Sequence, residues 1–429
     1  MRAVFLSPGA GAMYCGNCFR DNTLVKALRD LGHEALMAPL YLPLTLDEPD
    51  QSAGTPIFYS GINVYLDQKS SLFAGAPQWL RQILSSPRVL KWAAGRAAKT
   101  RASDVGDLAL SMLQGEEGRQ RRDLDDLLVW LKAHVQPDVI FLSNALLLGM
   151  ARRIKSELHT RVVCLLAGED SFLDALPESH RGPSWKVAAE RAAEVDLFLS
   201  PSRYYAQLMT ARLGLRSERV HVLPVGISLE GYPPPTTLAP PKPGPPTLGF
   251  FARMCRDKGL DTLVEAYLML RQTGSIPGLK LRVGGSCGPT DQPLVASLRD
   301  RLQTAGLDSD VEFCPNLDRT RKVAFLQSLS VFSVPARYGE AFGLYLIEAL
   351  AAGVPLAQPP CAAFPEVLAA TGGGVLSADT GAQALAHAIE GLLLDPERAR
   401  SLGHQGRQAV FQEFSARRMA EKTLAILRS

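Results

Sequence analysis

The feature that most restricts the fold is a repeated alternation of short apolar runs with helical stretches, each run closing on glycine or proline. Ala3–Ser7 is apolar and breaks at Pro8-Gly-Ala-Gly-Ala; residues 22 to 31 then show helical spacing up to Gly32, and Ala35–Ala38 is the next apolar run. Short runs that are apolar throughout read as strands buried on both faces, as in parallel sheets covered by helices. The alternation returns at Val139–Leu142, Val162–Leu166 and Leu197–Ser200. A second series starts at Thr247–Phe251 and continues through Leu281–Val283, Val311–Phe313 and Val331–Val334. Between the two, Gly231–Pro246 places eight prolines in sixteen residues, which excludes helix and central strand.

These patterns predict an α/β chain with two doubly wound, Rossmann-like parallel-sheet domains. The first is expected at 1–225 and the second at 247–412, with a stiff proline-rich linker at 226–246. The helical tail at 413–429 has no strand after it and is expected to pack back toward the first domain. Open parallel sheets bind ligands at the carboxyl ends of their strands, so a cleft between the domains is the expected site. The glycine-rich turn after the first strand lacks a full dinucleotide fingerprint and its following acid, and by itself identifies no ligand.

Composition narrows the class. With 46% apolar and 21% charged residues the chain reads as soluble and globular, and no apolar run approaches the ~18 residues of a membrane helix. The start, Arg2 to Pro8, reads as a strand and turn rather than a secretory signal. A net charge of +3 over 429 residues gives no footprint for nucleic acid. Seven scattered cysteines suit a reducing cytoplasm better than a disulfide framework. The pair in Cys15-Gly-Asn-Cys18 has metal or redox spacing, but no second ligand pair accompanies it, and small buried residues in a tight loop are the simpler reading. No metal site is expected.

Residues 77 to 132 interrupt the alternation as a helical insertion. Trp79, Leu80, Ile83, Leu84, Leu90 and Trp92 are interleaved with Arg81, Arg88, Lys91, Arg96, Lys99 and Arg101. The mixture fits a basic amphipathic helix on an anionic membrane surface, through 77–102, although a helical insertion with a solvated face is the more common origin of such a stretch. A cytoplasmic protein, with or without peripheral membrane contact, is the expectation.

The chemistry concentrates at Tyr338 to Pro355, YGEAFGLYLIEALAAGVP, where a strand-like run feeds a glycine turn and then a helix. That geometry offers backbone N–H groups and a positive helix end to an anion. Stepping 100° per residue from Leu344, an apolar sector gathers Leu344, Ile347, Leu350 and Ala351, and Glu348 falls about 40° past Leu344 at its edge. A partly enclosed acid there should accept hydrogen bonds. Arg253, Arg256 and Lys258 cluster in the loop after Phe251, at a helix start that would ordinarily attract acids, which points to a strongly anionic ligand. Cations for a diphosphate, Glu348 for ribose hydroxyls and Glu340 for a sugar together describe a nucleotide-sugar, whose glycosyl bond breaks through an oxocarbenium-like state.

The E-x7-E spacing of GEAFGLYLIEALAAGVP, together with the R-x4-K of FFARMCRDKGLDTLVEA, resembles the retaining GT-B glycosyltransferases of the family 4 type. VLPVGISLEGY, LRVGGSCG and VEFCPNL fall in matching order, so the likeness spans nearly all of the chain outside 45–132. The resemblance implies that Arg253 and Lys258 bind the donor diphosphate and stabilise it as a leaving group. It implies that Glu340 contacts the donor sugar, that Glu348 holds the ribose, and that the backbone of Ala341, Phe342, Gly343 and Leu344 binds sugar and phosphate. Gly11 to Gly16 would close over the phosphates, Gly284 lies at a donor-side strand end, and Pro315 to Leu317 would read the nucleobase. Transfer would retain configuration by front-face attack, with no metal or other cofactor and a UDP-, GDP- or ADP-sugar as donor. The chain departs from the family after Leu166, where Gly168-Glu169-Asp170 stands in place of the usual His-Asp. Glu169 and Asp170 are therefore candidates for the acceptor side. A nucleotide-sugar 2-epimerase and a non-catalytic sugar-binding protein are the competing readings.

Overall fold

The computed structural model describes residues 1–9, 15–59, 102–236 and 244–429. Gly11, the basic stretch 77–101 and the prolines at 240–243 lie outside the described residues. The chain divides into two compact units, Met1–Pro224 with Ala420–Ser429, and Val225–Met419. The divide therefore falls at Pro224, and the segment from Val225 belongs to the second unit, where Ile227 bridges Ser415 in parallel. The last helix, Ala416–Arg428, begins in the second unit and finishes in the first.

The first unit holds six strands: β1 (Arg2–Ser7), β2 (Glu34–Pro39), β3 (Val139–Leu142), β4 (Arg161–Leu165), β5 (Leu197–Ser200) and β6 (Val220–Val222). All pair in parallel, in the order β2-β1-β3-β4-β5-β6. Every residue of β3 is buried, as is Ala3–Ser7 in β1, because helices cover both faces. The Phe5 and Phe141 rings stack across the β1–β3 pairing with centroids 4.3 Å apart. Of the insertion, residues from 102 on are described, and they form helices at Ala102–Gln114 and Arg121–His134.

The second unit carries β7 (Thr247–Phe251), β8 (Lys280–Gly285), β9 (Val311–Pro315), β10 (Val331–Phe332), β11 (Leu356–Gln358) and β12 (Gly374–Leu376). Their order is β12-β11-β10-β7-β8-β9, again parallel throughout. Counted within the unit this is 6-5-4-1-2-3, the doubly wound order of dinucleotide-binding sheets. The two sheets together are a GT-B architecture. Among the described residues no helix is long and apolar enough to cross a membrane. Nor does any group of three or more His, Cys, Asp or Glu among them form a metal-binding cluster.

Candidate functional site

In the second sheet the chain leaves β7 toward β8 on one side and leaves β10 toward β11 on the other. The connections after these neighbouring strands diverge, which opens a crevice at their carboxyl ends. The first connection carries Arg253 and Lys258; the second carries Tyr338, Glu340 and the start of the Leu344–Ala351 helix. Two backbone contacts fasten them together. Arg337 N donates to Asp257 O at 2.9 Å. Gly259, at φ +71°, presses against Pro335 so closely that a Cβ would lie 1.9 Å from its carbonyl oxygen.

That approach makes a prediction. Gly259→Ala must push the two loops apart and should cost about 3 kcal/mol or more. Gly274→Ala is the control, since Gly274 has φ +67° with nothing within 4 Å, and should cost only the ~1 kcal/mol of left-handed strain. Urea unfolding midpoints check the difference.

Lys258 and Glu340, 82 positions apart, meet in this crevice with Nζ to Oε2 at 2.5 Å. Tyr345 OH donates to the same oxygen at 2.8 Å and Tyr338 OH at 3.1 Å, and the Lys258 ammonium also donates to the Tyr338 hydroxyl. The ammonium lies 4.7 Å from the Tyr338 ring centroid and 5.3 Å from that of Tyr345, within cation–π range of both. Burial pushes the Glu340 carboxyl up, but the Lys258 charge and the three hydrogen bonds outweigh it and hold the group below its ordinary value. All three donors fall on Oε2; among the described residues none binds Oε1, which leaves that oxygen for a ligand hydroxyl. Burial, and then the Glu340 charge, push the Tyr338 and Tyr345 phenols far up, so both stay protonated donors.

Glu348 is buried, and its Oε1 accepts from Lys322 Nζ at 2.7 Å. The lysine stands on the Arg319–Gln327 helix, whose Asp318 N-cap side chain accepts from Arg321 N. Each acid of the E-x7-E spacing thus has its own lysine. Sequence reasoning missed Lys322, although a signal existed. It lines up at helical spacing with Phe325 and Leu326 on the apolar face, where a cation requires an anion.

The remaining cations are already engaged. Arg253 Nε lies 3.0 Å from both Asp291 oxygens, and its Nη2 reaches Thr290 Oγ1 at 3.2 Å. Among the described residues none accepts from its Nη1. Arg256 turns instead to Asp261, at 3.0 Å, where Arg337 joins it at 3.2 Å. Of the three clustered cations, Arg256 therefore has an acid of its own. Asp261 sits in the first turn of the Leu260–Thr273 helix and accepts from Thr262 N at 3.1 Å, so Arg256 serves that acid.

The other donor-side positions cluster at neighbouring strand ends. Gly284 is the next-to-last residue of β8, and Asn316 N donates to Gly285 O at 2.8 Å, which sets Leu317 beside that strand end. Gly343, at φ +86°, is the left-handed N-cap of the Leu344–Ala351 helix. Ala341 and Phe342 are buried, and the Phe342 ring packs on Phe414 with centroids 6.1 Å apart.

In the first unit Gly16 opens the Gly16–Asp30 helix. Glu169 is buried with both oxygens engaged: Oε1 accepts from Ala145 N at 2.7 Å, and Oε2 from Ala167 N at 2.9 Å and Tyr205 OH at 2.7 Å. It fastens the ends of β3 and β4 to the Arg203–Leu213 helix. Asp170 shares the Tyr205 hydroxyl at 2.9 Å, and burial raises its pKa despite that bond.

The model for "Glycosyl transferases group 1" matches residues 239–409, and that for "Glycosyltransferase Family 4" matches 104–230. Glycogen synthase of Mycobacterium tuberculosis is 27% identical over 247 residues, covering 58% of this chain and 56% of that protein. Alpha-maltose-1-phosphate synthase of Mycolicibacterium smegmatis is 30% identical over 237 residues, covering 50% and 58%. The chain thus spans less than three-fifths of the length of these curated relatives. Sucrose-phosphate synthase from Thermosynechococcus elongatus superposes with a TM-score of 0.69 at 19% identity, over 100% of this chain and 98% of that one. Anabaena HepE in complex with UDP superposes with the same score at 15% identity, over the full length of both.

Proposed function

We infer that this chain, a GT-B protein that matches the Family 4 model over 104–230 and the group 1 model over 239–409, is a retaining hexosyltransferase using a nucleoside-diphosphate sugar. The carrying observation is the Lys258–Glu340 pair with its two tyrosines at the β7/β10 switch point. Arg253 Nη1 and the Lys258 ammonium would take the diphosphate, whose charge grows as the glycosyl bond breaks, so their attraction is strongest in the transition state. Glu340, ionised and acceptor-only, would orient a sugar hydroxyl through Oε1. Glu348 would bind the ribose. The backbone at Ala341, Phe342, Gly343 and Leu344, with Gly284 and Leu317, would line the rest of the donor site. Front-face departure would let the leaving phosphate take the acceptor proton, consistent with an ionised Glu340 that serves as an electrostatic group.

Asp170, with its raised pKa, is the better acceptor-side candidate, because Glu169 has no oxygen to spare. The 2-epimerase reading requires a first-unit acid–base pair, and the Glu169 geometry does not favour it. A thermal-shift series with UDP-, GDP- and ADP-sugars tests the donor class. A donor at 100 times its Kd adds about 2.7 kcal/mol to stability and should raise Tm by several degrees. Silence from all three would remove the proposal, and NMR of the product anomer would separate retention from inversion.

A further inference from the structure

We propose that Cys15 and Cys18 form a reversible dithiol–disulfide couple at the carboxyl end of β1. Cys15 is the N-cap of the Gly16–Asp30 helix, with extended backbone at φ −127° and ψ 120°, and Cys18 follows in the first turn. The two side chains are in hydrogen-bonding contact with each other, which sets their sulfurs side by side at the helix start. Their surroundings differ. The Cys15 side chain is half-buried, whereas Cys18 is fully buried under Ser7, whose hydroxyl donates to its sulfur at 3.8 Å.

The turn that carries them is anchored. One turn on, Arg20 donates to Ser143 O at 2.6 Å and Leu166 O at 3.4 Å, tying the helix to the ends of β3 and β4. Asp21 is the acid facing the pair, and it is held by Arg20 at 2.8 Å and by the Ser143 hydroxyl. The Cys18 thiol donates toward Cys15 and, against burial and the Asp21 charge, draws the Cys15 thiol down to about 6; N–H groups of Cys18 and Asn17 add to this. The same hydrogen bond and burial push Cys18 up, keeping its proton. One accessible thiolate beside one buried thiol is the division of labour of an attacking and a resolving cysteine.

The exchange balances with a low-molecular-weight disulfide as oxidant. Cys15 thiolate attacks one sulfur of that disulfide, forming a mixed disulfide and releasing a thiolate. Cys18 then loses its proton and attacks the Cys15 sulfur, releasing the second thiolate and closing the intramolecular bond. A dithiol reverses both steps. The sequence expectation of inert loop cysteines changes because these residues occupy a helix N-terminus. This inference stands apart from the donor assignment.

The test uses the full chain equilibrated with oxidised glutathione, acid-quenched and alkylated, with thiols located by peptide mass spectrometry. Cys15 and Cys18 should lose their free thiols together and regain them with dithiothreitol, while Cys18→Ser should instead collect a glutathione adduct on Cys15. At pH 6 the Cys15 thiolate fraction exceeds that of an ordinary thiol by several hundred. Its lower intrinsic nucleophilicity cuts the advantage to about 20-fold in iodoacetamide rate over Cys255, Cys287, Cys314 and Cys361. Equal rates, or free thiols at both positions after oxidation, would overturn the proposal. Both readouts are available in the wild type should Cys18→Ser not fold.

Discussion

Lys258→Ala is expected to lower kcat by about 10² to 10³-fold, the usual loss on removing one donor aimed at developing charge. Glu340→Gln should also lower turnover, because an amide cannot match the carboxylate's pull on Lys258 and the two tyrosines. Lys258→Ala has a second, separable effect. It strips the counter-charge from a buried carboxylate, which should cost a few kcal/mol of stability. The sign of its pH dependence follows from Glu340. Its folded pKa is depressed below 4.5, so the pair contributes stability that is present above about pH 4.5 and lost as pH falls through the folded value. Without Lys258 the burial penalty is unopposed and the carboxyl moves up instead. The deficit of the variant should therefore be full at pH 7 and shrink on acidification. Urea midpoints at pH 7 and pH 5 check this; an equal deficit at both would mean that Lys258 does not hold Glu340 ionised.

Lys322→Met should be among the most destabilising single substitutions in the second unit, at about 3–5 kcal/mol, because it leaves the Glu348 charge buried and alone. Removing both charges, as Lys322→Met with Glu348→Leu, should recover most of that loss, since a buried pair adds little net stability over apolar side chains of similar size. A denaturation cycle over the four proteins measures the coupling, and additivity of the two single losses would contradict the pairing. Nucleotide binding gives the second readout. In the proposed donor site Lys322 holds one oxygen of Glu348, and the other would take ribose hydroxyls. The wild type should favour UDP over 2′-deoxy-UDP or 3′-deoxy-UDP, or the matching analogues of its own donor base. The double variant should lose that preference while keeping its diphosphate contacts.

Much of the second unit's site was legible in the chain. Arg253, Lys258, Glu340 and Glu348 were singled out from a glycine-bearing turn, a helix period and a loop of cations, and the fold carries them on the connections that follow β7 and β10. Their partners were not. Asp291, 38 positions from Arg253, reads in the sequence as one more acid before a helix, and Tyr345 as one more large residue on a buried helix. Arg256 stands in the same loop of cations as Arg253, yet the fold gives it to Asp261. Glu169 looked like a spare acid near a strand end, and its three donors come from residues 145, 167 and 205.

The sequence by itself determined the elements and their faces: apolar runs too short for helices became buried strands, glycines marked their ends, and the period of Leu344–Ala351 placed Glu348 at the edge of the apolar sector. Only the tertiary structure decided which faces meet. Hydrophobic periodicity is a local property of a few turns, whereas strand order is set by packing the whole sheet. It is that order, bringing β7 beside β10, that closes the 82-residue gap between Lys258 and Glu340 and turns two separate charges into one ion pair.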